Sequence, residues 1–149
     1  MSRRIVLALV ALGVLLLGGA AAYNYMFATT TSYANYTAPT FEAGATDEQN
    51  IFQLQSDLGN AAAEMAQLQD MATKLQFGKM KAMGRHLQEV AAELEPRLDE
   101  IEDPQAKKLL AEGIDGLRLV GEGSEELDRD KSMQGVDQVL GSFEQLNNR

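Results

Sequence analysis

Residues 5–22 read IVLALVALGVLLLGGAAA, eighteen positions without a charge, set directly behind Arg3 and Arg4. A run of that character is either a membrane span or a secretion signal, and both place the rest of the chain across a bilayer. Ile5 to Tyr23 is nineteen residues, and about 20 residues at 1.5 Å rise cover a hydrocarbon core of about 30 Å. Ala20-Ala21-Ala22 offers a small-x-small cleavage site, so a secreted product is the alternative. Retention is favoured by the length, since a signal's apolar region is about 7–15 residues. It is favoured also by Tyr23, Tyr25 and Phe27, which follow the run as an aromatic belt would at the headgroups.

The expected anchor therefore covers residues 5–27 and meets the lipid bilayer through residues 5–23. Arg3 and Arg4 hold residues 1–4 in the cytoplasm by the positive-inside rule, which puts the remainder in the periplasm or its equivalent. Gly18 and Ala22 form a small-x-x-x-small pair that would suit a homo-oligomer of spans. The plainer reading is that small residues simply end the apolar region.

Beyond the anchor there is chain enough for one domain. It carries 22 acidic residues against 11 basic ones, once Arg3 and Arg4 are set aside, a charge of −11. Such a surface repels nucleic acid and anionic lipid headgroups rather than binding them. No cysteine is present. That excludes a disulfide framework, a thiolate metal site, a thiol nucleophile and covalently attached haem of the Cys-x-x-Cys-His kind.

Residues 28–46 differ in character. They are rich in Thr, Ala and Tyr, hold one charge (Glu42), and show no helical period. Six of the nine aromatic residues fall between Tyr23 and Phe41, which a plain Gly/Ser/Pro spacer would not need. An aromatic, β-prone strip lies against something. Tyr23, Tyr25, Phe27, Tyr33, Tyr36 and Phe41 are thus the candidate partner-binding residues. The strip would dock on a partner protein or along the chain's own bundle; a tether with tyrosines resting on the bilayer is the competing reading. Asn35-Tyr36-Thr37 matches a glycosylation sequon, a common pattern whose use depends on the host.

From Thr46 onward the pattern is helical, and an extracytoplasmic bundle is expected over 47–149. Thr46 with Gln49 is a capping box, and Asp47 and Glu48 suit the positive end of the dipole. Ile51, Leu54, Leu58, Ala61, Met65, Leu68, Ala72 and Leu75 then recur every three or four residues, predicting a helix over about 47–75. The register slips near Gly78, read as a turn, and a second seam follows: Met80, Met83, Leu87, Val90, Leu94, Leu98, Ile101. A continuous helix with a phase shift is the alternative to separate helices at 47–75 and 79–102. Asp103 as N-cap and Pro104 at the first helical position open a third helix, expected to end at Gly121-Glu122-Gly123. A fourth is expected over 130–147 with Met133, Val136, Leu140 and Phe143 inward. Short connections favour an all-α fold: an N-terminal transmembrane helix, an extended linker, and an antiparallel three- to four-helix bundle.

No cofactor is expected. His86 is the only histidine and lies off the main seam, and methionines at core spacing fill gaps more readily than they ligate haem. The paired Glu-x-x-His motif of di-iron bundles is absent. Asp128, Asp130 and Ser132 resemble the start of a calcium loop, but Met133 stands where glycine is needed and Val139 where the loop closes on an acid. Serine has no base partner, and the glycines at 113, 116, 121 and 123 follow no strand, so they suit close packing and a turn. The acidic run from Glu93 to Asp103 around Arg97 reads as a solvated face.

The expected function is non-enzymatic: a single-pass, membrane-anchored accessory subunit making protein contacts in a larger membrane or envelope complex. A ligand-binding or sensory bundle acting through a partner is one alternative. A coiled-coil spacer across the periplasm is the other, although breaks at Gly78, Pro104 and Gly121 favour a compact bundle.

Overall fold

The computed structural model describes residues 18–28 and 33–149. They are all-α, with no strand among the described residues: α1 over residues 18–27, α2 Asp47–Thr73, α3 Phe77–Leu94, a 3₁₀ turn Glu95–Glu100, α4 Pro104–Glu126 and α5 Arg129–Asn147. The expected cytoplasmic end (1–4) and the part of the anchor over 5–17 lie outside the described residues. Among those described, no helix is long and apolar enough to cross a membrane.

Local chemistry sets the helix starts. Gln49 N–H donates to Thr46 Oγ1 at 3.2 Å while Thr46 N–H donates to Gln49 Oε1 at 2.9 Å, closing the capping box of α2. Asp103 Oδ1 accepts from Gln105 and Ala106 N–H at 2.8 and 3.0 Å to open α4. Asp128 caps α5 by accepting from Lys131 N–H at 3.1 Å. The calcium-like run at 128–132 is thus a helix start, one residue earlier than expected. Pro96 cannot donate to the carbonyl four residues back, so the α-helical part of the second seam stops at Leu94 and continues as a tighter 3₁₀ turn.

Two helix ends differ from the sequence reading. The first turn is made at Leu75 (φ 56°), not at Gly78. Leu75 N–H donates to Ala72 O at 3.0 Å and Gln76 N–H to Met71 O at 2.8 Å, the two bonds of a Schellman motif. α4 ends in the same way: Leu127 has φ 58° and Asp128 N–H donates to Gly123 O at 2.7 Å. Gly121 and Gly123 therefore lie inside α4, which runs to Glu126 rather than stopping at residue 121.

Those glycines are packing surfaces. A Cβ on Gly121 would stand 2.7 Å from Gly84 O, and one on Gly84 would stand 2.5 Å from Gly121 O, so α3 and α4 touch backbone to backbone. On its other side α4 meets α5, where a Cβ on Gly135 would fall 2.6 Å from both Gly116 O and Val120 N. Ser142, also buried, donates its hydroxyl to Leu109 O at 2.6 Å across the same seam. α4 also contacts α2, and is the central helix. Each glycine costs about 1 kcal/mol of helix propensity relative to alanine. Burying Leu109, Leu110, Ile114, Leu117 and Val120 outweighs this at about 1.5–3 kcal/mol per side chain.

The tight seam turns α5 about its axis relative to the expectation. Its inward residues are Gly135, Val139, Ser142 and Leu146. Val136 and Phe143 are half-buried at the edge, and Met133 and Leu140 are 48% and 59% exposed. Small side chains win the inner face because only they let α5 approach the glycines of α4. The seams of α2 and α3 are as expected through Met65 and from Met83 to Ile101, while Leu75 leaves the core.

The far end of the bundle is tied by carboxylates. Asp47 accepts from Glu102 and Asp103 N–H at 2.8 and 2.9 Å, and Arg149 donates to Asp103 at 2.7 Å and Glu48 at 3.2 Å. These bonds bring the starts of α2 and α4 together with the end of α5, so the helices alternate in direction.

One substitution pair and one single substitution test this account by urea unfolding. Gly135→Ala should destabilise by about 2 kcal/mol through overpacking, whereas Gly141→Ala, which meets open space, should stabilise by about 0.5–1 kcal/mol. Leu75→Gly should raise stability by about 0.5 kcal/mol, as relief of the left-handed backbone exceeds the added freedom of the unfolded chain.

Candidate functional site

The aromatic strip is divided in two by its surroundings. Residues 33–41 run without regular structure over α2 and α3. Tyr33 stacks on the His86 ring with centroids 4.5 Å apart and planes 15° apart. Tyr36 N–H donates to Glu89 Oε1 at 3.3 Å, and Gln53 of α2 donates to Thr40 O at 3.4 Å. Ala38 is buried in the core, with Tyr33, Tyr36 and Phe41 packed half-buried against it. Gly44 (φ 78°) then turns the chain toward the Thr46 cap.

His86 is the centre of this seat. Its side chain is only 9% exposed, with Nε2 2.8 Å from Glu64 Oε2 on α2. Its Nδ1 is buried and has no hydrogen-bond partner among the described residues. The ring therefore joins α2, α3 and the strip by one polar contact and one stacked face. Burial, then the nearby Glu64 charge, raises the Tyr33 pKa. Burial raises that of Tyr36 too, followed by Asp57, Glu64 and Glu93. Both phenols are held in their neutral form. Burial likewise raises the Asp57 carboxyl.

Tyr23, Tyr25 and Phe27 form the other half, on α1. Residues 18–25 stand exposed, with Tyr23 and Tyr25 at 63% and 57%. Phe27 is the residue that meets the bundle. Its ring lies 5.9 Å from that of Phe77 and 4.8 Å from Tyr23, and Lys81 Nζ stands 5.7 Å from its centroid. Its backbone presses on Gly78, where a Cβ would collide with the Phe27 carbonyl. Gly78, read from sequence as a turn, serves instead as the floor of this contact.

Among the described residues no group of His, Asp and Glu could hold a metal ion. A shallow groove of about 340 Å³, open to solvent, lies between Glu42, Gln49, Phe52 and Asp57. Ser56 lines it as well. Sequence reading singled out the six aromatics but not Glu64, Glu89 or Gln53. The available signal was the spacing of His86 and Glu89, which places both on one face of α3. Comparison with known protein families, with curated proteins and with solved structures finds no match.

The raised tyrosine values set an alkaline limit on this site. Unfolded tyrosines ionise near pH 10, below the folded Tyr33 and Tyr36, so their contribution is complete below pH 10 and is lost as pH rises through the folded values. Urea midpoints should hold to about pH 9 and then fall, and Tyr33→Phe with Tyr36→Phe should flatten that fall. Tyr36→Ala should cost about 1–2 kcal/mol at neutral pH, less than a fully buried aromatic would.

Proposed function

We propose that this chain is a non-enzymatic, single-pass accessory subunit, held to the bilayer through residues 5–23 with its N-terminus cytoplasmic. Its antiparallel four-helix bundle stands on the periplasmic side and makes protein contacts within a larger membrane or envelope complex. The observation that carries this reading is the junction at α1. A helix exposed along residues 18–25 continues the apolar sequence of residues 5–17, and joins a bundle that has already closed its own core. A self-contained domain does not need eighteen uncharged residues at its edge, but an anchored one does.

The bundle's polar groups support a structural role. Its caps, the His86 seat and the Asp47–Asp103–Arg149 cluster all bind parts of the chain to one another. The partner contact falls to side chains left uncovered. Tyr23 and Tyr25 are the open members of the aromatic strip, and Met133 and Leu140 form an apolar stripe on α5. Tyr33, Tyr36 and Phe41 shape the neighbouring surface by seating the strip.

Extraction of the full chain in mild detergent, affinity capture and mass spectrometry test the proposal. A stoichiometric protein partner should be retained, and the intact mass should include residues 1–22. Met133→Lys with Leu140→Lys should lose that partner while the circular dichroism stays unchanged. A chain recovered alone from the soluble fraction would overturn the reading.

A further inference from the structure

The charge of −11 is unevenly spread. Between Asp70 and Glu89 there is no acid, and Lys74, Lys79, Lys81 and Arg85 occur there. This stretch is the tip of the bundle formed by the α2–α3 turn. Of the 11 lysines and arginines described, eight form ion pairs within the chain. Lys79, Lys81 and Arg129 are the exceptions among the described residues. Arg129 has Asp128 and Asp130 beside it in sequence, which leaves Lys79 and Lys81 as the pair with no acid beside them, Lys81 lying over the Phe27 ring.

Both lysines occupy the opening turns of α3, which has no acid in its first turn. The positive end of the helix dipole disfavours cations there. Beside them Leu75 is 46% exposed and held at φ 56°, a conformation that glycine would adopt without strain. An apolar side chain presented in a strained turn, with two lysines in the helix turns that follow it, serves the isolated bundle poorly. A surface that is anionic outside and apolar beneath would satisfy both features.

The anchor brings such a surface within reach. Phe27 packs on Phe77, Gly78 and Lys81 of this same tip. Tyr23, where the apolar run ends, is four residues earlier on α1, or about 6 Å along a helix axis. That is shorter than the Debye length of about 8 Å at physiological salt. We infer that the α2–α3 tip rests on the bilayer, with Lys79 and Lys81 on anionic phospholipid headgroups and Leu75 directed into the interface. The total charge repels such headgroups; Lys79 and Lys81 reverse that sign at the α2–α3 turn itself, while the α4–α5 turn at the same end of the bundle carries Glu122, Glu125, Glu126, Asp128 and Asp130. The inference rests on the anchoring proposed above.

Because the chain lacks cysteine and tryptophan, single labels report cleanly. Full-length protein carrying a fluorophore at Gln76→Cys, or at Asn148→Cys on the far end, is reconstituted in phosphatidylcholine vesicles with and without phosphatidylglycerol. A nitroxide-bearing lipid serves as quencher, and flotation reports anchoring. The Gln76 label should be quenched several-fold more than the Asn148 label, and more strongly with phosphatidylglycerol. The excess should vanish with Lys79→Glu plus Lys81→Glu, since each lysine near an anionic surface strengthens contact about fivefold. Leu75→Gly should weaken the quenching even though it relieves the backbone. Failure of the chain to float would overturn the anchoring and this inference together. Flotation with equal quenching at both ends, or with no response to anionic lipid or the double substitution, would overturn this inference alone and leave the tip to an acidic protein.

Discussion

The backbone contact of α4 with its two neighbours is the constraint from which the remaining arrangement follows. At Gly84 and Gly121, and at Gly116 and Gly135, a single added carbon would collide with a carbonyl or an amide of the facing helix. Register between these helices is consequently fixed by main chain, which cannot change rotamer to relieve a misfit. Once α3, α4 and α5 are set in this way, α2 has one apolar seam to lay across α3 and α4, and the strip over 33–41 has one surface left to follow. The closeness of α4 and α5 also explains why α5 carries apolar side chains on its outside. Its small residues occupy the inner face, so Met133 and Leu140 are turned outward.

The parts of the fold legible in sequence are those governed by neighbouring residues. Thr46 with Gln49, and Asp103 with Pro104, announce helix starts because a cap is completed within about three residues. The seams of α2 and α3 were legible because bulky side chains at helical spacing face the core in both. Counting bulky apolar positions gave the wrong face of α5, since that interface selects for small size. It also placed turns at Gly78 and Gly121, because glycine signals both a turn and a close approach. Only the positions of Phe27 and Gly84 distinguish the two. Leu75 and Leu127 carry no local sign of left-handed backbone. Their conformations follow from the hydrogen bonds that close each hairpin.

The candidate site was half legible for a related reason. Concentration of aromatics before Phe41 indicates that the strip lies on something, since tyrosine rings without a surface gain little. What the strip lies on involves Gln53, Glu64, His86 and Glu89; helical spacing groups the last two, and nothing local ties them to Gln53 and Glu64 on α2. The solitary histidine drew attention as a possible ligand. Its ring is instead a stacking platform, with Glu64 on one nitrogen and the other enclosed. Raised tyrosine pKa values accompany that enclosure, so the acidity of the domain and the seating of the strip are coupled.

Charge sets the α2–α3 turn apart from the end formed by the starts of α2 and α4. At the end formed by the starts of α2 and α4, acids occupy the positions that helix dipoles favour, and each meets a donor: Asp47 the amides of 102 and 103, Asp103 those of 105 and 106, and Arg149 completes the cluster. Asp103 is held below its ordinary pKa by the Ala106 and Gln105 amides, with Arg149 adding to this. At the α2–α3 end, lysines stand where the dipole of α3 would choose acids, and a leucine stands where the backbone would choose glycine. Local strain persists where surrounding structure or function sustains it. The first end is complete within the chain. The second has two half-buried lysines without an ion pair among the described residues, and a leucine 46% exposed, beside the helix that continues the apolar run.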